Sequence, residues 1–390
     1  MAAFGDWIQG PYFYTSFRKL GYSHAEIGYL LVLGLLSSLI FGSFVGLFPD
    51  RIPRKNLVIL YSMTSTLSCF AMHTSISLIH LVGSVLAGIS TSLLHSIFDS
   101  WLCEEHEDRG SSADEVSASF ATKSFLNSSA AIMSGIVAQR TYEIFPLHHF
   151  NETFFVWGFT TPFDLAIISV QVSAFLSVFL FTEPCRIRPK QPLGASRIRL
   201  IQRFRNMELM LICLTESLFE AALYIFVFTW SRALSDAVGP TVDIDYGSIF
   251  SCFMAASILG SVLIGTFPVR NALFLSLCVA GMAHILSAMY SNQSVLLYAS
   301  FIVFEITVGV FYPLLGELKA RRVPAEIRVS AYNVFKIPMN AIVVLSLLSE
   351  LSVGQSFILT SGLILCSTLS ERLLCRSEVN RDPMNEKADS

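Results

Sequence analysis

Apolar stretches of about 20 residues, the length that crosses a ~30 Å hydrocarbon core as a helix, begin near Glu26, Asn56, Ser77, Phe120, Pro162, Glu208, Gly247, Ala272, Val295, Ala331 and Ser352. Short polar breaks separate them, so the pattern predicts eleven membrane-spanning helices. Ahead of the first, Met1 to Phe17 is apolar and aromatic, holds Asp6 and stops at Arg18-Lys19. At about 1.5 Å per residue it falls slightly short of a crossing and reads as the outer part of a twelfth helix. It has neither the basic start nor the small-residue cleavage site of a signal peptide. A chain that starts five residues before a buried acid points to a truncated or misassigned amino terminus.

The polar positions also repeat. Val116-Ser117-Ala118, with Lys123 five residues on, recurs as Val329-Ser330-Ala331 with Lys336 five residues on. Gly46-Leu47-Phe48-Pro49-Asp50-Arg51 matches Gly265-Thr266-Phe267-Pro268-Val269-Arg270. The two echoes are 213 and 219 residues apart and keep their order, so the second half of the chain repeats the first in parallel. That is the build of an all-α, two-bundle transporter. The expected organisation is an amino-terminal bundle at 1–182 with an incomplete first helix, a basic linker at 183–207, a second bundle at 208–376 and a cytoplasmic tail at 377–390.

Composition agrees with a lipid environment. The chain is 53% hydrophobic and only 14% charged, where soluble domains average roughly 25%, and its mean hydropathy is +0.60. A net charge of −3 gives no reason to expect nucleic acid as a partner. The eight cysteines form no C-x-x-C pair and read as small buried hydrophobes. His148-His149 lacks carboxylate or cysteine neighbours, so neither a metal nor another cofactor is expected.

Basic residues set the expected orientation. The stretch from Pro184 to Met207 carries Arg186, Arg188, Lys190, Arg197, Arg199, Arg203 and Arg205 and no acid, which marks it cytoplasmic. Arg51, Arg54, Lys55, Lys319, Arg321, Arg322 and Arg328 fall on the same side by helix counting. The opposite side receives Asp236, Asp243, Asp245 and the acceptor patterns at Asn151 and Asn292. Glu104 to Glu115 reads as an acidic cytoplasmic loop.

Candidate chemistry rests on ionisable residues expected deep in the bilayer, each costing roughly 2.5–3.5 kcal/mol to insert. They are Asp6, Asp99, Lys123, Glu216, Glu220, Glu305 and Lys336. Across the repeat Asp6 and Glu220 lie 214 apart, Asp99 and Glu305 206, and the two lysines 213. A matched pair of ammonium groups facing a central cavity suits a tetrahedral oxyanion, each offering charge and three donors. The structural alternative is a pair of interhelical ion pairs, Asp99 with Lys123 and Glu305 with Lys336. The two roles are compatible, because a lysine can exchange a carboxylate for a substrate anion.

Glu216 and Glu220 share one helical face, and Glu220 is preferred because it has the repeat partner. Four acids against two lysines leave a fully ionised site at net −2, which repels a dianion. A proton on Glu305 or Glu220 during binding removes that conflict. Trp7, Gln9, Tyr12 and Asn333 are expected to line the site, and Trp101, Asn127, Tyr224, Tyr312 and Tyr332 are further candidates for its lining. Pro11, Pro313 and Pro338 are expected to bend their helices.

Gly46, Asp50, Arg51, Arg54 and Lys55 stand in a stretch that resembles the loop motif of the major facilitator superfamily, G-x-L-A-D-R-x-G-R-K. Pro49 and Pro53 replace a small residue and a glycine of that pattern. Within the superfamily, Gly5-Asp6-Trp7 through Gly10-Pro11-Tyr12, Phe98-Asp99-Ser100-Trp101, Leu218-Phe219-Glu220, Ile225-Phe226-Val227-Phe228 and Phe253-Met254-Ala255-Ala256-Ser257 resemble the molybdate-anion transporters. Ser84 departs from the arginine that often follows a glycine in the fourth helix of the superfamily. The resemblance implies a major facilitator fold in two six-helix bundles, and a small inorganic anion such as molybdate as substrate. The reading is a plasma-membrane secondary transporter working by alternating access, with the proton as candidate coupling ion. The rival readings are a transporter of organic cations or metabolites and a non-transporting receptor or scaffold. No nucleophile, base and orienting group recur at a mechanistic spacing, so an enzyme is not expected.

Overall fold

The structure, a computed structural model, describes residues 1–47, 54–180, 207–239, 242–264, 269–323 and 328–379. Among them are thirteen α-helices: α1 (Ala2–Trp7), α2 (Gly10–Lys19), α3 (His24–Leu47), α4 (Arg54–Ala71), α5 (Ser77–Arg109), α6 (Ala113–Ile144), α7 (Thr161–Leu180), α8 (Met207–Val238), α9 (Tyr246–Leu263), α10 (Val269–Met289), α11 (Ser294–Arg322), α12 (Arg328–Leu348) and α13 (Val353–Val379). A two-stranded antiparallel hairpin, β1 (His148–His149) with β2 (Phe155–Val156), joins α6 to α7. Eight helical stretches are long and apolar enough to cross a membrane, and Phe335–Leu348 is a shorter apolar one. Their outer faces carry exposed Phe175, Val262 and Leu365, as does α4 with Leu67. Such residues would be costly in water and are at home against acyl chains.

Each of the eleven expected starts falls on a helix or one residue before it, but two details are corrected. The stretch Glu104 to Glu115 is mostly helical: α5 runs on to Arg109 and α6 begins at Ala113. Glu105 bonds Arg109 one turn on, and Gly110 turns the chain at φ +64. Ser112 and Glu115 then form a reciprocal capping box, a pattern that restarts a helix after a polar break. The first segment is two helices rather than one. Pro11 lacks the N–H that would bond residue 7, so the ladder breaks at Ile8-Gln9, and the Gln9 side chain caps the Gly5 carbonyl at 2.7 Å instead. Pro313 and Pro338, by contrast, sit inside continuous helices.

The chain divides into two compact units, Met1–Pro189 with Asp245–Met254, and Lys190–Ile244 with Ala255–Ser390. In the first, α1 packs on α6 and α7, α3 on α5, and α4 on α5 and α7. In the second, α8 packs on α12 and α13, and α10 on α11 and α13; α9 meets α11 at Gly260 and Gly309. With α1 and α2 counted as one segment, these are the same pairs, six segments further on. Ala2, Tyr61, Leu93, Trp101 and Val170 belong to the core of the first unit, and Ile212, Phe335 and Leu374 to that of the second.

Two backbone contacts fix the register of the repeat more finely than the sequence echoes do. A Cβ on Gly88 would lie 2.1 Å from the Gly34 carbonyl oxygen, and one on Gly309 would lie 1.8 Å from that of Ser257. Ser37 Oγ donates to the Val85 carbonyl at 2.8 Å, and at the matching place in the second unit a Cβ on Gly260 would lie 2.0 Å from the Ile306 carbonyl oxygen. Gly88 thus corresponds to Gly309, which places Glu305 opposite Ser84 and Asp99 opposite Ala320. The expected equivalence of Asp99 and Glu305 is therefore overturned. Gly309→Ala adds one methyl where no space exists, and the expected loss is about 1–3 kcal/mol from overpacking. A thermal melt of the purified protein that does not shift downward would contradict this packing.

Candidate functional site

In the second unit α8 carries a row of acids, each holding a cation from a neighbouring helix. Lys336 of α12 donates to both carboxylate oxygens of Glu220 at 2.6 Å. One turn earlier, Lys319 of α11 donates to Glu216 Oε1 at 2.7 Å. Nearer the start of α8, Arg322 donates to Glu208 at 2.5 Å. The two inner acids are sealed, with side chains 4% and 3% exposed, whereas Lys336 remains 41% exposed beside them. A carboxylate taken out of water needs a countercharge and donors, and these cations supply both.

The expected Glu305–Lys336 pair does not form. Lys336 stands where α12 packs on α8, so the acid within its reach is Glu220. Glu305 is buried, and among the described residues no hydrogen bond or ion pair engages it. Glu216, ranked below Glu220 from sequence, is as deeply buried and also holds a lysine, but through Oε1 alone. Tyr224 and Tyr312 are partly exposed, and the side chains of Tyr332 and Asn333 lie outside the described residues.

In the first unit Lys123 lies ten residues into α6 and is exposed rather than buried, as are its neighbours Phe125 and Leu126. Asp6 is half-buried on α1, while the Asp99 side chain is outside the described residues. Trp7 Nε1 donates to Asn127 Oδ1 at 3.1 Å, tying α1 to α6. Gln9 spends its amide nitrogen on the helix break described above. Tyr12 donates to Gln139 Oε1 at 2.6 Å, and Gln139 Nε2 donates to Glu143 at 3.0 Å and to Asp245 at 2.9 Å. Gly247 N completes that group by donating to Gln139 Oε1. Gln139 was not foreseen; its signal is a buried amide amid apolar α6 neighbours. The cysteines are mixed, with Cys69 and Cys213 buried but Cys252 and Cys366 exposed.

Residues 1–302 match the model of a family described as sugar transporters with 12 transmembrane segments, a branch of the major facilitator superfamily. The chain belongs to that family. It is similar to the molybdate-anion transporter of Takifugu rubripes, 27% identical over 390 residues that span 90% of this chain and 77% of the fish protein. The Danio rerio molybdate-anion transporter is likewise 27% identical, over the same shares of each chain. Among solved structures, the nucleoside transporter NupG superposes with a TM-score of 0.72 at 13% identity, covering 96% of this chain and 96% of its own. That likeness carries the major facilitator fold alone.

This major facilitator protein is therefore an integral multi-pass membrane transporter. Of its superfamily loop motif, Gly46 lies in the last turn of α3, and Arg54 and Lys55 open α4. Asp50 and Arg51, like the basic stretch 183–206, lie outside the described residues.

Proposed function

We propose that this protein is a secondary transporter of a small tetrahedral oxyanion, molybdate or a close analogue, working by alternating access in the plasma membrane. The observation that carries the reading is the Lys336–Glu220 pair, a part-exposed ammonium group held by a sealed carboxylate. A cation so placed can exchange its carboxylate for an incoming anion without losing charge compensation. Lys123, its counterpart in the repeat, supplies the second positive group. The naming of similar proteins as molybdate-anion transporters supports the choice of substrate. Residues 1–182 and 208–376 act as the two moving bundles, joined by the basic linker 183–207. Glu305 or Glu220 carries the coupled proton, and Asp6 and Asp99 serve as partners of the first-unit lysine. Trp7, Tyr12 and Asn333 complete the lining, and Gln9 holds the break in the first helix.

Competition in cells that lack their own molybdate uptake tests this reading. Cells expressing the chain are expected to accumulate molybdate, with excess tungstate suppressing uptake and sugars, nucleosides or organic cations leaving it unchanged. Suppression by a sugar or an organic cation but not by tungstate would assign a different substrate.

A further inference from the structure

Among the described residues of the first unit, the Glu216–Lys319 pair has no counterpart. On the offset that relates Asp6 to Glu220, Glu216 corresponds to Ala2. Ala2 is buried in an apolar cluster with Leu57, Val58, Tyr61 and Val170. The same bundle is thus packed at this position by a methyl group in one half and by a charge pair in the other. Bundle packing does not require the pair, and a buried ion pair is poor evidence of stabilisation, because desolvation offsets its attraction. The pair is also incomplete. Glu216 Oε2 is buried with no hydrogen-bond partner, while Oε1 takes the Lys319 bond. A buried polar oxygen left in that state calls for an explanation beyond packing.

Its position supplies one. Glu216 lies one turn from Glu220, about 6 Å along α8, on the side toward the start of that helix, and Glu208–Arg322 lies further along the same way. From Lys336 the three cations form a stair along α8: Lys336, then Lys319, then Arg322. Resting on the oxyanion reading above, we propose that Lys319 is a second anion station, taking the substrate after it leaves Lys336. Glu216 is the acid that yields Lys319 to the anion. Its unpartnered Oε2 is the oxygen that accepts a proton, and the resulting hydroxyl donates a hydrogen bond to the anion then seated on Lys319. No other covalent bond changes in this exchange; one proton moves onto Oε2 and later leaves with or after the substrate.

The test uses the full chain in cells, with molybdate as probe. Lys319→Gln is expected to raise the molybdate concentration for half-maximal uptake about tenfold, the scale of one lost charge-assisted contact. Because that variant leaves Glu216 without a countercharge, the double variant Glu216→Gln, Lys319→Gln is measured beside it, with surface abundance and melting temperature recorded for both. Restored abundance and melting with uptake still impaired supports the station. Restored uptake in the double variant overturns it and makes the pair structural. Normal uptake by Lys319→Gln also overturns it, and if Lys336→Gln is impaired in the same assay the broader oxyanion reading still stands. If both lysine variants are normal, the broader reading fails as well.

Discussion

Lys336→Ala is expected to reduce molybdate uptake to background while leaving the protein in the membrane, and Lys123→Ala to do the same. Two ammonium groups attract a dianion far more strongly in a water-poor site than at a surface, since the interaction scales inversely with the local dielectric. On the proposed oxyanion reading, losing either lysine removes a positive group offered to the anion. The single Lys336 variant carries a second effect, because Glu220 is 4% exposed and loses the ammonium contacts at 2.6 Å that compensate its charge. Breaking a buried pair from one side costs roughly 3–5 kcal/mol. The combined variant Glu220→Gln, Lys336→Gln removes both charges and is expected to recover thermal stability but not uptake. Near-normal uptake by both single alanine variants contradicts the role assigned to the lysines.

The second large effect concerns protons. Glu305 is buried, with no hydrogen bond or ion pair among the described residues, and an isolated charge there is expensive. A proton is the countercharge that remains available to it. If substrate binds when this acid is protonated, uptake rises as external pH falls, because protonation then draws on the more acidic side. A protonophore collapses the gradient and is expected to reduce uptake several-fold. Glu305→Gln fixes the neutral form and is expected to flatten the pH response while molybdate still binds. Uptake by the wild-type protein that is indifferent to pH and protonophore leaves facilitated diffusion as the mechanism.

Much of this molecule was legible in its sequence because lipid imposes strict demands. Backbone polar groups in hydrocarbon must be satisfied within helices, so every apolar run had to be one, and each expected start met a helix to within a residue. The lysine echo likewise led to two equivalent helices, α6 and α12. Sequence failed where the answer depends on how helices cross. Segments such as α3 are apolar nearly all round, so nothing in them tells the packed side from the lipid side. The register between α3 and α5 is set by close approach at Gly88, and that between α9 and α11 at Gly309. Neither contact is visible as a motif, and without them Asp99 and Glu305 looked equivalent. The partner of Lys336 was missed for the same reason: the expected partner was Glu305, and the packing of α12 on α8 brings Glu220 to it instead. The capping box at Ser112 and Glu115 was readable, but the surrounding acids suggested a solvated loop.

Purified protein in sealed liposomes, given radiolabelled molybdate outside, tests the central claim most directly because no other transporter is present. The account predicts saturable accumulation that tungstate blocks and that the Glu220→Gln, Lys336→Gln variant lacks despite intact reconstitution. Uptake no greater than in protein-free liposomes, under an imposed inward proton gradient and at either orientation, would contradict it.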